Sequence, residues 1–241
     1  MFLDQFQNLD GRFHIIEHSV PVDEQMEYFK FADRVKKDIT LTDADYEKFG
    51  SQLNADDCSS ERKKKLIAIL GAAKTVRAYR LLENYADHPD QGLANWSYMA
   101  LTESRIALET ELSGEKHVYI STGMGGKDDK LRFYVLVMSE KCLAFLDYQK
   151  EIIAKEFNFM LPQSGCEVEK LTVGDKYVAM VCLIPMSANL KYILERVLNE
   201  CNQYGDFLSS LLTVTNVKEL SVDEISRLVE SYEHDLANHS S

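Results

Sequence analysis

The sequence predicts two domains of different class: a helical N-terminal domain over residues 1–112, then an α+β domain over 113–241 in which helices cover an antiparallel sheet, the two joined near 111–116. Three observations predict it. Apolar residues recur at helical spacing from about residue 24 to 112 with little strand signal; the period shifts from about 3.6 to 2 after Gly114; and the second half repeats a strand–strand–helix order. A chain of 241 residues has room for two cores, and 45% hydrophobic with 27% charged residues is a globular rather than a disordered composition.

In the first half, "DEQMEYFKFADRVKK" places Met26, Phe29, Phe31 and Val35 near one helical face. Thr42 is a good N-cap, and Asp43 and Asp45 complement the positive end of the helix it opens. Ser60 is expected to cap the next helix, whose buried stripe is Leu66, Ile67, Ile69 and Leu70, with the basic run "ERKKKL" at 61–66 as its solvated face. Leu66, Leu70 and Gly71 then close one helix, Val76, Leu81, Leu82 and Tyr85 line the next, Asp87 and Pro89 mark a turn, and Ala94, Met99, Ala100 and Leu101 lie on the helix that follows. Over about residues 42–110 this arrangement resembles a HEAT repeat. The resemblance implies helical hairpins that bury their apolar faces by stacking, and a surface that binds other macromolecules; it implies no activity. Trp96, the single tryptophan, is a core residue by default and a candidate partner anchor if exposed.

The second half reads as a duplication. "KHVYIST" is a short strand and "LRFYVLVM" at 131–138 is almost wholly apolar. Ser139 is expected to cap a long helix carrying Cys142, Phe145, Leu146, Ile152, Ile153, Phe157 and Met160, which Pro162 and Gly165 end. "EVEKLTV" alternates like an edge strand, Gly174-Asp175 marks a tight hairpin turn, and "YVAMVCLI" at 177–184 is again apolar throughout. Ser187 or Asn189 caps a helix in which Leu190, Ile193, Leu194, Val197, Leu198 and Cys201 keep helical spacing. "FLSSLLTVTNV" can add a fifth strand, and Ser221 with Glu224 forms a capping box for a C-terminal helix. The ferredoxin-like order, strand–helix–strand–strand–helix–strand, competes with this reading. A hairpin between 116–122 and 131–138 would occupy the place that order gives to the last strand, so a four- or five-stranded antiparallel sheet without it is preferred.

Chemistry-bearing patterns are sparse. "STGMGGKDDK" at 121–130 gathers Gly123, Gly125, Gly126, Lys127, Asp128, Asp129 and Lys130 between two strands. A Walker-type phosphate loop needs Ser or Thr after Gly-Lys and a helix next; here Asp128 follows Lys127 and a strand comes next. The dinucleotide pattern fails too, because Asp128 stands where its third glycine belongs. A hairpin turn is the simplest reading, a mobile insertion touching a partner the next, and a nucleotide or metal site the last. "HIIEH" at 14–18 carries the H-x-x-E-H pattern of one zinc-protease class, but its β-branched, proline-stopped surroundings predict a strand, in which His14 and His18 stand about 13 Å apart, too far for one zinc. The five cysteines form no C-x-x-C pair and read as buried reduced thiols.

The net charge of −12 opposes a polyanion, so nucleic acid is an unlikely partner. The acidic start "MFLDQFQNLD" lacks the pattern of a secretory signal and no apolar run is long enough to span a membrane, which predicts a cytoplasmic chain without a membrane partner. With no coherent catalytic constellation and no cofactor motif, the expected function is a non-enzymatic interaction or adaptor protein whose partner is another protein or a second copy. The alternative is a small-ligand, nucleotide or metal binder using the 121–130 loop.

Overall fold

The computed structural model describes residues 12–35, 40–115 and 117–239. The acidic start at 1–10, the Lys36-Lys37 end of the first expected helix and Lys116 lie outside them. The architecture is mixed α and β, with helices and an antiparallel sheet as the sequence predicts. The described residues fall into two compact units, one made of 12–14 and 20–120, the other of 15–19 and 121–239.

The helical unit contains α1 (Val22–Val35), α2 (Asp43–Leu53), α3 (Ser60–Ala72), α4 (Val76–Ala86) and α5 (Ala94–Ser113). Its core is Tyr28, Leu53, Leu66, Ile67, Leu82 and Trp96 with their neighbours. Thr42 caps α2 in a capping box with Asp45, whose carboxylate accepts from the Thr42 N–H at 2.8 Å. The cap of α3 is Ser59 rather than Ser60: Ser59 has the extended backbone a cap needs, and its Oγ accepts from the Arg62 N–H at 3.3 Å. The basic run on α3 is not uniformly solvated. Lys63 is 4% exposed, its ammonium 2.6 Å from the Asp90 carboxylate, and Lys64 lies 4.3 Å from the centre of the Trp96 ring. Both lysines lay aliphatic stems along apolar surface while the charged ends keep partners.

Two short strands complete this unit. β1 (Arg12–Ile15) pairs with β2 (His117–Ile120) as a two-stranded sheet, the Ile15 end of β1 falling within the second unit. Gly114, at φ 67, ends α5 in the left-handed conformation that glycine tolerates, and its N–H donates to the Thr110 carbonyl at 3.1 Å.

The sheet unit contains β3 (Gly126–Lys127), β4 (Lys130–Ser139), α6 (Asp147–Gln163), β5 (Glu167–Val173), β6 (Tyr177–Pro185), α7 (Leu190–Asn202), β7 (Leu208–Thr215) and α8 (Val222–His239). The long strands lie in the order β7-β4-β6-β5, all antiparallel. With helices after β4 and β6, this is the ferredoxin-like order that the sequence reading set aside. The reason is local. β2 is absent from this sheet, and the two-residue β3 takes just the Lys130–Leu131 end of β4, leaving Tyr134 to Ser139 on the same edge for β7.

The apolar runs of β4 and β6 follow from burial on both faces. On one face Val135, Val137, Met180 and Cys182 meet Ile153, Phe157 and Leu161 of α6 and Leu194 and Val197 of α7. On the other, Tyr134, Leu136, Ala179 and Val181 pack with Ile225 of α8. Burying each large aliphatic or aromatic side chain contributes about 1.5–3 kcal/mol. Helix α6 starts at Asp147, not after Ser139. β4 continues through Ser139, and Cys142 sits at φ 51 in a turn that keeps Phe145 buried but leaves Leu143 and Leu146 exposed. Asn189 caps α7 and Ser221 with Glu224 caps α8, as the residues indicate. No helix among the described residues is long and apolar enough to cross a membrane.

Candidate metal centre

Within the helical unit, the end of α5, β1 and β2 bring three metal-ligating side chains together. Glu109 and Ser113 are four residues apart and share a face of α5. His117 and Tyr119 are two apart on β2 and share a strand face. The turn at Gly114 lets β2 pack against α5, and β1 adds His14. One ligand atom each from His14, Glu109 and His117 then lies within 4.8 Å of the others.

Ser113 anchors the imidazole of His117. Its Oγ donates to the Glu109 carbonyl at 2.7 Å, accepts from the Glu115 N–H at 3.1 Å and lies 3.0 Å from His117 Nε2, within hydrogen-bond distance. On the other side of the ring, His117 Nδ1 is 3.0 Å from His14 Nε2, also within hydrogen-bond distance, and 3.6 Å from Glu109 Oε2. The His117 side chain is 7% exposed against 40% for Glu109, so the cluster opens on the Glu109 side.

Tyr119 holds the other partners in place. Its hydroxyl donates to Glu109 Oε2, and its ring stacks on that of His14 with centroids 4.6 Å apart. Burial, then the hydrogen bond to Glu109 and its charge, push the phenol of Tyr119 well above its ordinary pKa, so it stays a donor. The rings of His14 and His117 are nearly parallel, 6° between planes.

Two imidazoles and a carboxylate suit zinc and similar late divalent ions better than calcium or magnesium. Ligand atoms around a tetrahedral zinc stand about 3.3 Å apart, from bond lengths near 2.0–2.1 Å. Two of the three separations, 3.0 and 3.6 Å, bracket that spacing, and the third lies within 4.8 Å. An imidazole whose second nitrogen is hydrogen-bonded to an oxygen, as His117 Nε2 is placed to be by Ser113 Oγ, is the usual outer-shell arrangement of a metal-bound histidine. Three protein ligands leave a fourth position for water, whose acidity a bound ion would raise.

Apart from His14, the residues singled out from the sequence do not converge in this way. Thr122 to Gly126 are buried, and the loop's N–H groups are committed to its own unit: Met124 donates to the Asn216 carbonyl at 3.1 Å, Gly125 to Thr122 at 3.2 Å and Gly126 to Glu17 at 3.4 Å. A Cβ on Gly123 would stand 1.9 Å from the Val217 carbonyl oxygen, and Gly125 adopts φ 67. The glycines admit neighbouring backbone. Lys127 and Lys130 both face Glu167, while Asp128 and Asp129 lie exposed in the turn, Asp128 at φ 53. The loop's donors point into its own unit and its lysines share a carboxylate, the arrangement of the hairpin connection that was the simplest reading of the sequence.

Trp96, the candidate anchor, is 2% exposed and packs edge-on against Tyr28 and Phe31. The H-x-x-E-H pattern does not form a zinc helix. His14 lies in β1, and Glu17 instead accepts the Gly126 N–H through its carbonyl and the Asp128 N–H through its carboxylate. Cys142, Cys166, Cys182 and Cys201 are buried, with burial pushing Cys182 and Cys201 up to about 12. His14 with His117 was missed because 103 residues separate them. The local spacings Glu109–Ser113 and His117–Tyr119 were the available signal.

No protein-family model matches the sequence, and no curated protein matches it. Among solved structures, a proposed transposase from Deinococcus radiodurans is similar at 14% identity, over 42% of this chain and 90% of its own, with a TM-score of 0.38. A REP-associated tyrosine transposase bound to a REP hairpin is similar at 7% identity, over 45% and 67%, with a TM-score of 0.32. A C-terminal segment of the α subunit of aIF2 from Pyrococcus abyssi is similar at 12% identity, over 81% and 99%, with a TM-score of 0.28. The expectations of a non-enzymatic adaptor and of nucleic acid as an unlikely partner are not upheld, two of these neighbours being transposases. At these TM-scores the neighbours' activities remain their own, and the reading of this chain rests on its residues.

Proposed function

We propose that this protein binds a divalent transition metal, zinc or an ion of similar chemistry, through His14, Glu109 and His117. The observation that carries the reading is the convergence of one ligand atom each from His14, Glu109 and His117 within 4.8 Å of one another, with Ser113 anchoring the far nitrogen of His117. Tyr119 orients both Glu109 and His14, so each ligand is positioned by a further group. With one coordination position left to solvent, the ion can polarise a bound water or take a ligand atom from outside. Five cysteines without a disulfide favour a reducing compartment, the cytoplasm.

The test is a zinc titration of the full chain against a chromophoric chelator, with cobalt(II) as a spectroscopic substitute. One ion per chain is expected, with the visible absorption of four-coordinate cobalt. His14→Ala and His117→Ala should each weaken binding more than about 100-fold, since each removes one of three protein ligands. Undiminished binding in both variants, or no retained zinc in the unaltered chain, refutes the reading.

A further inference from the structure

We propose that two copies of this chain join through the outer edge of β7, antiparallel about a two-fold axis, so that their sheets run on as one. The sheet has two long edge strands, β5 and β7, and they are guarded differently. On β5, Glu167 pairs with Lys130, Glu169 with Arg132 and Lys170 with Glu219, a charged border of the kind that keeps other chains from pairing with a sheet edge. β7 has no such border. From Phe207 to Val217 the sequence holds no charged residue and no proline. Leu211 is 64% exposed, and Val214 and Val217 are exposed with it. Asn202 takes up the N–H and the carbonyl of Leu208; further along, β4 is the one strand that β7 pairs with among the described residues. An antiparallel edge strand turns the N–H and carbonyl of alternate residues outward, ready to pair.

Charge identifies a second copy as the occupant. Each chain carries a net charge of −12, so two copies repel unless their line of contact is free of acid, and 207–217 is such a line. Its ends have opposite signs. Asp206 precedes it and is exposed; Lys218 follows it, 60% exposed, with its ammonium 2.6 Å from Glu224. Leu212 stands midway between them. Antiparallel pairing centred on Leu212 sets Asp206 of each copy opposite the partner's Lys218, whereas parallel pairing would set like beside like. It also places Leu212 against its own counterpart on the axis. Leu212 already packs, partly buried, against the core that β4 and β6 form with α6 and α7, so the contact carries that core across the axis. A two-fold axis normal to the sheet passes naturally through a pair of opposed residues, because the hydrogen bonds around such a pair are themselves symmetric.

The experiment is analytical ultracentrifugation of the full chain from about 1 to 200 µM, with a chelator present so that no metal ion can join two chains. A reversible monomer–dimer equilibrium is expected. Thr213→Lys, at an exposed position beside the axis, puts a guarding charge on the edge and should weaken dimerisation at least about tenfold. Asp206→Lys and Lys218→Asp each set like charges at both ends of the contact and should weaken it about tenfold. An equimolar mixture of these two variants should associate as the unaltered chain does, since both ends of the mixed dimer are again unlike. Circular dichroism checks that each variant is folded. A chain that stays monomeric throughout leaves the edge to an extended segment of another protein and overturns the proposal. So does a dimer that Thr213→Lys leaves intact in a folded chain, or a mixture that associates no better than its two components.

Discussion

The glycine loop at 121–130 and the cluster at the end of α5 make an instructive pair. The loop carries the conspicuous sequence, with glycines, lysines and aspartates in ten residues. In the fold its N–H groups are bonded to Asn216, Thr122 and Glu17, and both lysines face Glu167. The cluster carries no motif, yet it brings two imidazoles and a carboxylate together, one ligand atom of each within 4.8 Å of the others. Residue types that suggest ligand binding are a poor guide until their hydrogen bonds are traced. What marks a site is the convergence of ligand groups from distant parts of the chain.

Three substitutions would break or sharpen that contrast. The largest effect is expected in the loop, on stability. Gly123→Ala forces a methyl group to 1.9 Å from the Val217 carbonyl, so backbone must move, and a loss of about 3 kcal/mol or more is expected in urea unfolding. A variant as stable as the original would show that the loop is free to move, and the contrast would fail.

The second effect is expected in the cluster, on binding. Ser113→Ala removes the hydrogen-bond partner of His117 Nε2 and should weaken zinc binding about 10–100-fold, with the chain still folded. Unchanged affinity would mean that Ser113 does not position that ring.

The smallest effect concerns the loop's charges. The hydrogen bond from Lys130, then the charge of Lys127, hold the Glu167 carboxyl below its ordinary value of 4.5. A depressed carboxyl contributes stability that is fully present above its unfolded pKa and is lost as pH falls through the lower folded value. Glu167→Gln should therefore lower the melting temperature slightly at pH 7, and the gap should close as the pH drops below about 4.5, with zinc binding at pH 7 untouched. A gap that widens in acid would contradict the pairing.

The legible parts of the fold were those with local causes. Thr42 with Asp45, Asn189, and Ser221 with Glu224 cap helices through groups three residues apart at most, so spacing announces them. The apolar runs 131–138 and 177–184 announced strands buried on both faces. Ser139 misled because a serine before an apolar stretch looks like a cap, while here β4 pairs it with Leu208 and the helix waits until Asp147. The place of β2 was also hidden, since a strand's partner depends on which edges are already filled.

The sequence by itself determined the class of the molecule, because helical and strand periods are properties of consecutive residues, and it determined most helix starts for the same reason. The tertiary structure alone decided the ferredoxin-like strand order, the burial of the glycine loop, and the meeting of His14 with Glu109 and His117. Each of these depends on which distant surfaces meet. That outcome is settled by burying apolar area across the whole chain, and no stretch of neighbouring residues encodes it.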